Sequence, residues 1–207
     1  MLRLAVLASG RGTNLQAIID ACGSGALRGL AEIATVVSDR RSALALERAA
    51  AHGIRTIVLR PKDFPDRPAH DEAVAAELVG SGVDLICLAG YLRLFGATFI
   101  ARHFGKIINV HPALLPAFPG LDVQRQALEY GVKVSGCTVH FVDEGTDTGP
   151  IIVQRTVPVL ETDTVEALAA RILEQEHVAY IEAIRLIAQD RVRIDGRRVR
   201  ILPTSQD

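Results

Sequence analysis

At 207 residues the chain fits one compact domain, and its 49% apolar and 23% charged content can bury a core, which excludes intrinsic disorder. Twenty-three basic and 24 acidic side chains leave a net charge of −1, which excludes a protein held to nucleic acid by bulk attraction to the phosphate backbone. Cys22, Cys87 and Cys137 form no C-x-x-C pair and no disulfide framework, and no apolar run approaches the roughly 20 residues that span a bilayer. The opening Met1–Ser9 lacks the basic and apolar regions of a secretory leader, so the expected setting is cytoplasmic and soluble. The basic residues are 20 Arg and three Lys; Arg suits forked recognition of carboxylate or phosphate, but such a bias more often reflects genome composition.

In chain order, short apolar runs alternate with segments of helical period. This predicts an α/β fold with a mostly parallel, twisted sheet flanked by helices and a Rossmann-like N-terminal half. Strands are expected near Leu2–Ala8, Ile33–Ser38, Arg55–Leu59, Asp84–Leu88, Ile107–Val110, Val134–Phe141 and Ile151–Val157. Helices are expected near Asn14–Cys22, Ala43–Ala51, Asp71–Ser81, Val123–Tyr130 and Thr164–Ala188. Three prolines mark 60–68 as a loop, and Asp195-Gly196 marks the turn of a small terminal hairpin between Arg191–Ile194 and Arg197–Ile201.

Three segments carry chemistry. Ser9-Gly10-Arg11-Gly12-Thr13-Asn14 follows the first strand and opens the first helix, so its glycines permit a tight turn and the free amides beyond form an anion site. Leu15 stands where a dinucleotide fingerprint has its third glycine. Asp39 ends the second strand at the position of a ribose-binding acid, and Arg40 and Arg41 after it fit a phosphorylated ribose. A phosphate is the first reading of the loop, with a nicotinamide dinucleotide and a plain tight turn as alternatives.

The second segment runs Ile107-Ile108-Asn109-Val110-His111-Pro112. Asn109 and His111 are two apart and leave one face of a strand at its carboxyl end, where the ligand crevice of a parallel sheet lies. An amide donor beside an imidazole can polarise a carbonyl and manage a proton; the plain alternative is a strand-end histidine with a turn asparagine. In the third segment, Thr138, His140 and Val142 alternate along a strand before an acidic loop with Asp143, Glu144 and Asp147. Asp147, flanked by Thr146, Thr148 and Gly149, is the carboxylate that His111 needs as partner, since a carboxylate beside an imidazole raises the imidazole pKa; a solvated turn is the alternative.

The start Ser9–Ile18, Asn109-Val-His-Pro-Ala-Leu-Leu-Pro and the Gly136–Gly149 segment together resemble the phosphoribosylglycinamide formyltransferase family, in order from residue 1 to about 190. The resemblance implies one formyltransferase domain over 1–207, with a phosphate-binding half at 1–100 and a catalytic, folate-binding half at 101–207. It implies transfer of formyl from 10-formyltetrahydrofolate to the amine of glycinamide ribonucleotide, with no metal and no covalent intermediate, by a monomer or homodimer without nucleic-acid or membrane partners. Asn109, His111 and Asp147 then form the catalytic trio, with His140 in support. Gly12, Thr13 and Asn14 seat the substrate phosphate, Glu176 meets the ribose, and Leu92, Arg93, Leu94 and Val142 line the folate pocket.

Periodicity adds to the case for Glu176. In a helix read as capped by Asp163 with Glu166 three residues on, Val165, Leu168, Ile172, Ala179 and Ala183 form an apolar stripe that contains Glu176 and leaves His177 off it. A carboxylate there needs a partner, either ligand hydroxyls or a boundary salt bridge. Departures from the family pattern are Arg11, Ala113, Asp122-Val123-Gln124 and Leu173, none within the trio. A formyltetrahydrofolate hydrolase or another formyltransferase on the same scaffold is the nearest rival, and the length is expected to leave no room for a regulatory or tRNA-binding module.

Overall fold

The first strand, β1 (Leu2–Leu7), departs from strict alternation because it is covered on both faces: Leu4, Ala5, Val6 and Leu7 are all fully buried in the computed structural model, which describes residues 1–203. The structure contains two compact units, Met1–Ile108 and a second beginning at Asn109.

In the first unit β1 pairs in parallel with β2 (Ala31–Ser38) and β4 (Leu85–Leu88), and β2 pairs in parallel with β3 (Thr56–Val58). The strand order is β3-β2-β1-β4, so successive strands step one way from β1 and then return to its other side. That reversal puts a topological switch point between β1 and β4, with the loops after both strands at its mouth. Ile86 donates its N–H to the Lys106 carbonyl at 2.8 Å, which sets the entry to β5 (Ile107–His111) beside β4. The flanking helices are α1 (Thr13–Gly23), α2 (Leu44–Ala51), α3 (Arg67–Gly80) and α4 (Ala97–Arg102).

Two differences from the expected elements lie here. Residues 60–68 are not loop throughout: Pro61–Asp63 form a 3₁₀ turn, and Pro68 sits in the first turn of α3, where no acceptor awaits its missing N–H. Asp66 caps that helix by accepting the Ala69 N–H at 2.9 Å, so α3 starts before Asp71. The short helix α4 was not expected; it is anchored by Phe99, whose ring stacks on Phe95 at 4.0 Å.

In the second unit the strand order is β5-β6-β7, with β6 (Val134–Phe141) antiparallel to β7 (Ile151–Pro158). The register passes from Val139↔Val153 to His140↔Ile151 and skips Ile152, a bulge next to His140. Beside these strands are α5 (Val123–Tyr130) and α6 (Val165–Ala188). The α6 helix buries Leu168, Ile172, Ala179, Ala183 and Ile184 against β6 and β7. Its N-cap is Thr164, which accepts the Ala167 N–H at 3.2 Å, and not Asp163. Asp163 serves the preceding turn instead: it takes both guanidinium branches of Arg171 and the Leu160 N–H, which hold its carboxyl down to about 2. The expected hairpin is present as β8 (Val192–Asp195) and β9 (Arg198–Ile201), with Gly196 and Arg197 in its turn. Among the described residues no helix is long and apolar enough to cross a membrane.

Candidate active site

Four sequence-predicted residues converge in the second unit. Asn109 and His111 come from the end of β5, His140 from β6, and Asp147 from the loop between β6 and β7. Asp147 Oδ2 lies 3.4 Å from His111 Nδ1 and its Oδ1 lies 3.7 Å from His140 Nε2. These are ion-pair distances longer than a good hydrogen bond. The Gly120 N–H donates to Asp147 Oδ2 at 2.9 Å. Asp147 adopts φ 55, the left-handed region that Asp tolerates better than most residues and that recurs at functional sites.

Burial by itself raises the Asp147 carboxyl. The imidazole of His140, the Gly120 N–H and the charge of His111 outweigh it, and the net shift is below the usual carboxylate range. The two histidines are oriented by main-chain carbonyls. His140 Nδ1 meets Phe141 O at 2.8 Å, so it carries the proton there, and its Nε2 accepts from Asn109 Nδ2 at 3.3 Å. His111 Nε2 donates to Phe118 O at 2.8 Å. With Asp147 at its other nitrogen, the His111 ring faces an acceptor on each side and can donate to both when it carries two protons.

The surrounding chain is braced. The Thr138 hydroxyl donates to Ala113 O at 2.7 Å and accepts from the Leu115 N–H and from Gln154 Nε2, each at 3.0 Å. That uses its full hydrogen-bonding capacity and fixes the segment that leaves His111. In the acidic loop, Asp143 Oδ1 accepts from Thr148 Oγ1 at 2.6 Å and the Gly145 N–H at 3.1 Å. A Cβ on Gly149 would lie 1.8 Å from Phe141 O, so only glycine lets this loop close against β6. Arg197 of the hairpin donates to Thr148 O at 3.1 Å.

Glu176 lies on the buried face of α6, as its period predicts. Its carboxylate adds to burial in pushing the Cys137 thiol up to about 12. His177 is off that face, and burial lowers its pKa. Val142 follows β6 and is partly buried.

The remaining predicted residues lie in the first unit. Gly12 has φ +71 and is itself the N-cap of α1, so the chain turns into the helix at this residue and Thr13 and Asn14 form its first turn. A Cβ at Gly12 would approach Ala45 Cα to 2.7 Å. After β4 the chain runs without regular structure through Leu92, Arg93 and Leu94, with Leu92 61% and Leu94 67% exposed while Tyr91 and Phe95 turn inward. The Leu92 N–H donates to Ser9 Oγ at 3.0 Å, and Arg93 Nε lies 3.6 Å from Asp39 Oδ2.

Three site groups had no place in the sequence reading: the Phe118 carbonyl, the Gly120 N–H and the brace made by Thr138 with Gln154. The first two are main-chain atoms, which no side-chain pattern reports.

A family model described as formyl transferase matches residues 2–184. The phosphoribosylglycinamide formyltransferase of Bacillus subtilis (strain 168) is 44% identical and aligns over 89% of this chain and 94% of its own length. The trifunctional purine biosynthetic protein adenosine-3 of Drosophila pseudoobscura pseudoobscura is 50% identical over 92% of this chain, which spans 14% of that protein's length. Among solved structures, the crystal structure of glycinamide ribonucleotide transformylase 1 from Symbiobacterium toebii matches with a TM-score of 0.95 at 56% identity, covering 98% of this chain and 95% of that one.

Proposed function

The chain belongs to the formyl transferase family of enzymes, in its phosphoribosylglycinamide formyltransferase branch, and on that premise we propose that it transfers formyl from 10-formyltetrahydrofolate to the primary amine of glycinamide ribonucleotide in purine (IMP) biosynthesis. The observation that carries the chemical part is the Asp147 carboxylate, kept ionised between two imidazoles beside the strand-end amide of Asn109.

In this reaction the amine nitrogen bonds to the formyl carbon and negative charge develops on the formyl oxygen. The bond from that carbon to the folate nitrogen then breaks as the folate nitrogen receives the proton that the amine gives up. Asn109 and His111 leave one face of β5 and offer N–H donors for the oxyanion. Without substrate these donors rest on His140 Nε2 and Phe118 O, and the formyl oxygen replaces those acceptors. Asp147 orients and charges His111 and passes the amine proton onward, directly or through water. His140, held by Phe141 O through Nδ1, keeps the Asn109 amide in place by accepting from it at Nε2.

Binding is divided among other groups. The amides of Gly12, Thr13 and Asn14 at the start of α1 suit a phosphate, where the helix dipole adds to the hydrogen bonds. Glu176 accepts from ribose hydroxyls, and the folate contacts are assigned to Leu92, Arg93 and Leu94 in the first unit and to Val142 in the second.

The deciding experiment incubates the protein with 10-formyltetrahydrofolate in the presence and absence of glycinamide ribonucleotide. Tetrahydrofolate and formylated ribonucleotide are expected together, and only when the amine is supplied. Release of formate that does not depend on the amine identifies a hydrolase and overturns the transferase reading.

A further inference from the structure

The formyl-transfer reading gives no role to Asp39, although this is one of the few acids the fold buries. Asp39 follows β2 in the first unit, and its side chain is 6% exposed. Its Oδ2 lies 3.6 Å from Arg93 Nε and 3.9 Å from Arg40 Nε, both at the outer limit of an ion pair. Its Oδ1 is fully buried and has no hydrogen-bond partner among the described residues. A buried carboxylate oxygen left in this way costs stability unless something supplies a donor. The neighbouring Tyr91 hydroxyl is buried without a partner as well.

Asp39 forms part of the wall of a crevice of about 460 Å³, within the range of small-molecule sites. Arg40, Arg60, Lys62 and Arg93 line the same crevice, and Pro61 and Leu92 supply apolar surface. Arg60 is paired with Asp63 at 2.7 and 2.8 Å, whereas Lys62 makes no ion pair among the described residues. The crevice therefore presents more positive than negative charge, around one acid that still lacks a donor. A simple anion satisfies the cations and is repelled by Asp39. A cation satisfies Asp39 and is repelled by the rest. A ligand with a vicinal diol and a phosphate satisfies both.

Position in the fold points to the same chemistry. In a parallel sheet of this order, the acid at the carboxyl end of the strand next to the glycine-loop strand is the ribose acceptor. Ser9 Oγ holds the Leu92 N–H, so the start of the glycine loop is tied to a residue of the crevice wall. We propose that this crevice binds a ribonucleotide, with the ribose hydroxyls on Asp39, the phosphate on Arg40, Arg60 and Lys62, and a face of the base against Pro61. The site is additional to the seat of the ribonucleotide substrate at the start of α1, and the inference does not depend on formyl transfer.

The test is calorimetric titration of the full chain with adenosine 5′-monophosphate, its 2′-deoxy analogue and inorganic phosphate. The ribonucleotide is expected to bind, the deoxy analogue about tenfold or more weakly for want of one hydroxyl to a charged acceptor, and phosphate more weakly still. Asp39→Asn is expected to shrink the difference between ribo and deoxy ligands. Lys62→Ala, an exposed change that leaves the fold intact, is expected to weaken both nucleotides by about tenfold. Failure of the ribonucleotide to bind overturns the proposal. So does phosphate binding as tightly as nucleotide. Nucleotide binding that ignores both substitutions and competes with glycinamide ribonucleotide also overturns it, by placing the ligand on Gly12–Asn14. If Asp39→Asn fails to fold, Lys62→Ala with the deoxy comparison decides the matter.

Discussion

Asp39 directly follows β2 and Asp147 lies within the loop between β6 and β7, and both carboxylates are largely buried, with side chains 6% and 13% exposed. Around Asp147 the protein gathers groups at both oxygens: the Gly120 N–H and His111 on one side, and on the other His140 Nε2 at 3.7 Å, which donates when that ring carries two protons. Around Asp39 it supplies two distant guanidinium groups to one oxygen and nothing to the second. The first arrangement fixes a charge in place before any ligand arrives, as a group that must move a proton or orient an imidazole requires. The second leaves a desolvated acceptor that only a ligand's donors relieve. On the proposed roles, the contrast teaches that burial alone does not separate a catalytic carboxylate from a binding one, whereas the completeness of its protein partners does.

The largest effect is expected at the satisfied carboxylate. Asp147→Asn keeps an acceptor for the Gly120 N–H and removes the charge, so it should fold normally and lose about 10²–10⁴ in kcat, with His111→Ala in the same range. Steady-state kinetics beside a thermal melt checks both, and full activity in Asp147→Asn removes that residue from the mechanism. Acid behaviour gives a second reading. The folded-state pKa of Asp147 is lowered, so its ion pairs contribute their full stability above the unfolded value of about 3.9 and lose it as pH falls through the lowered one. Asp147→Asn should therefore flatten part of the acid limb of a stability–pH profile and leave the neutral region unchanged in slope.

Side chains that repeat with the period of their element were legible in the sequence. Asn109 and His111 two apart on a strand, and Glu176 within the stripe of a long helix, lie where alternation and helical period put them. Asp147 was legible only as a partner that His111 lacked, because a loop has no period. Pro68 misled: proline marks a helix start as readily as a loop, and Asp66 supplied the cap that the reading passed over. The α6 cap misled for a related reason, since Asp163 and Thr164 both suit the position and a downstream arginine, Arg171, drew the acid away. What holds His111 and Asp147 in place from outside, the Phe118 carbonyl and the Gly120 N–H, belongs to the backbone and had no signature at all.

A smaller effect is expected at the glycine loop, and it falls on binding. Gly12→Ala must hold an alanine in the left-handed region, at about 1–2 kcal/mol, and push its Cβ against the Ala45 backbone. The turn should shift and tilt the amides of Thr13 and Asn14, raising KM for glycinamide ribonucleotide by about tenfold or more with kcat much less affected. The reverse pattern, with kcat reduced and KM unchanged, breaks the division of labour between an anion seat at α1 and chemistry at Asp147.

The smallest catalytic effect is expected where the second unit is merely braced. Thr138→Val replaces the hydroxyl by a methyl of similar size and leaves the Ala113 carbonyl and the Leu115 N–H buried without their partner. Unsatisfied groups of this kind cost about 1–3 kcal/mol each, and Gln154 keeps its bond to Leu115 O, so the segment after His111 should loosen without unfolding. Denaturant melts are expected to register that loss while kcat stays within about an order of magnitude of the parent, corresponding to no more than about 1.4 kcal/mol at the transition state. A deep fall in kcat at unchanged stability moves Thr138 from the scaffold into the chemistry. It would also mean that the partners completing the Asp147 site extend one residue further from the carboxylate than its own hydrogen bonds and ion pairs reach.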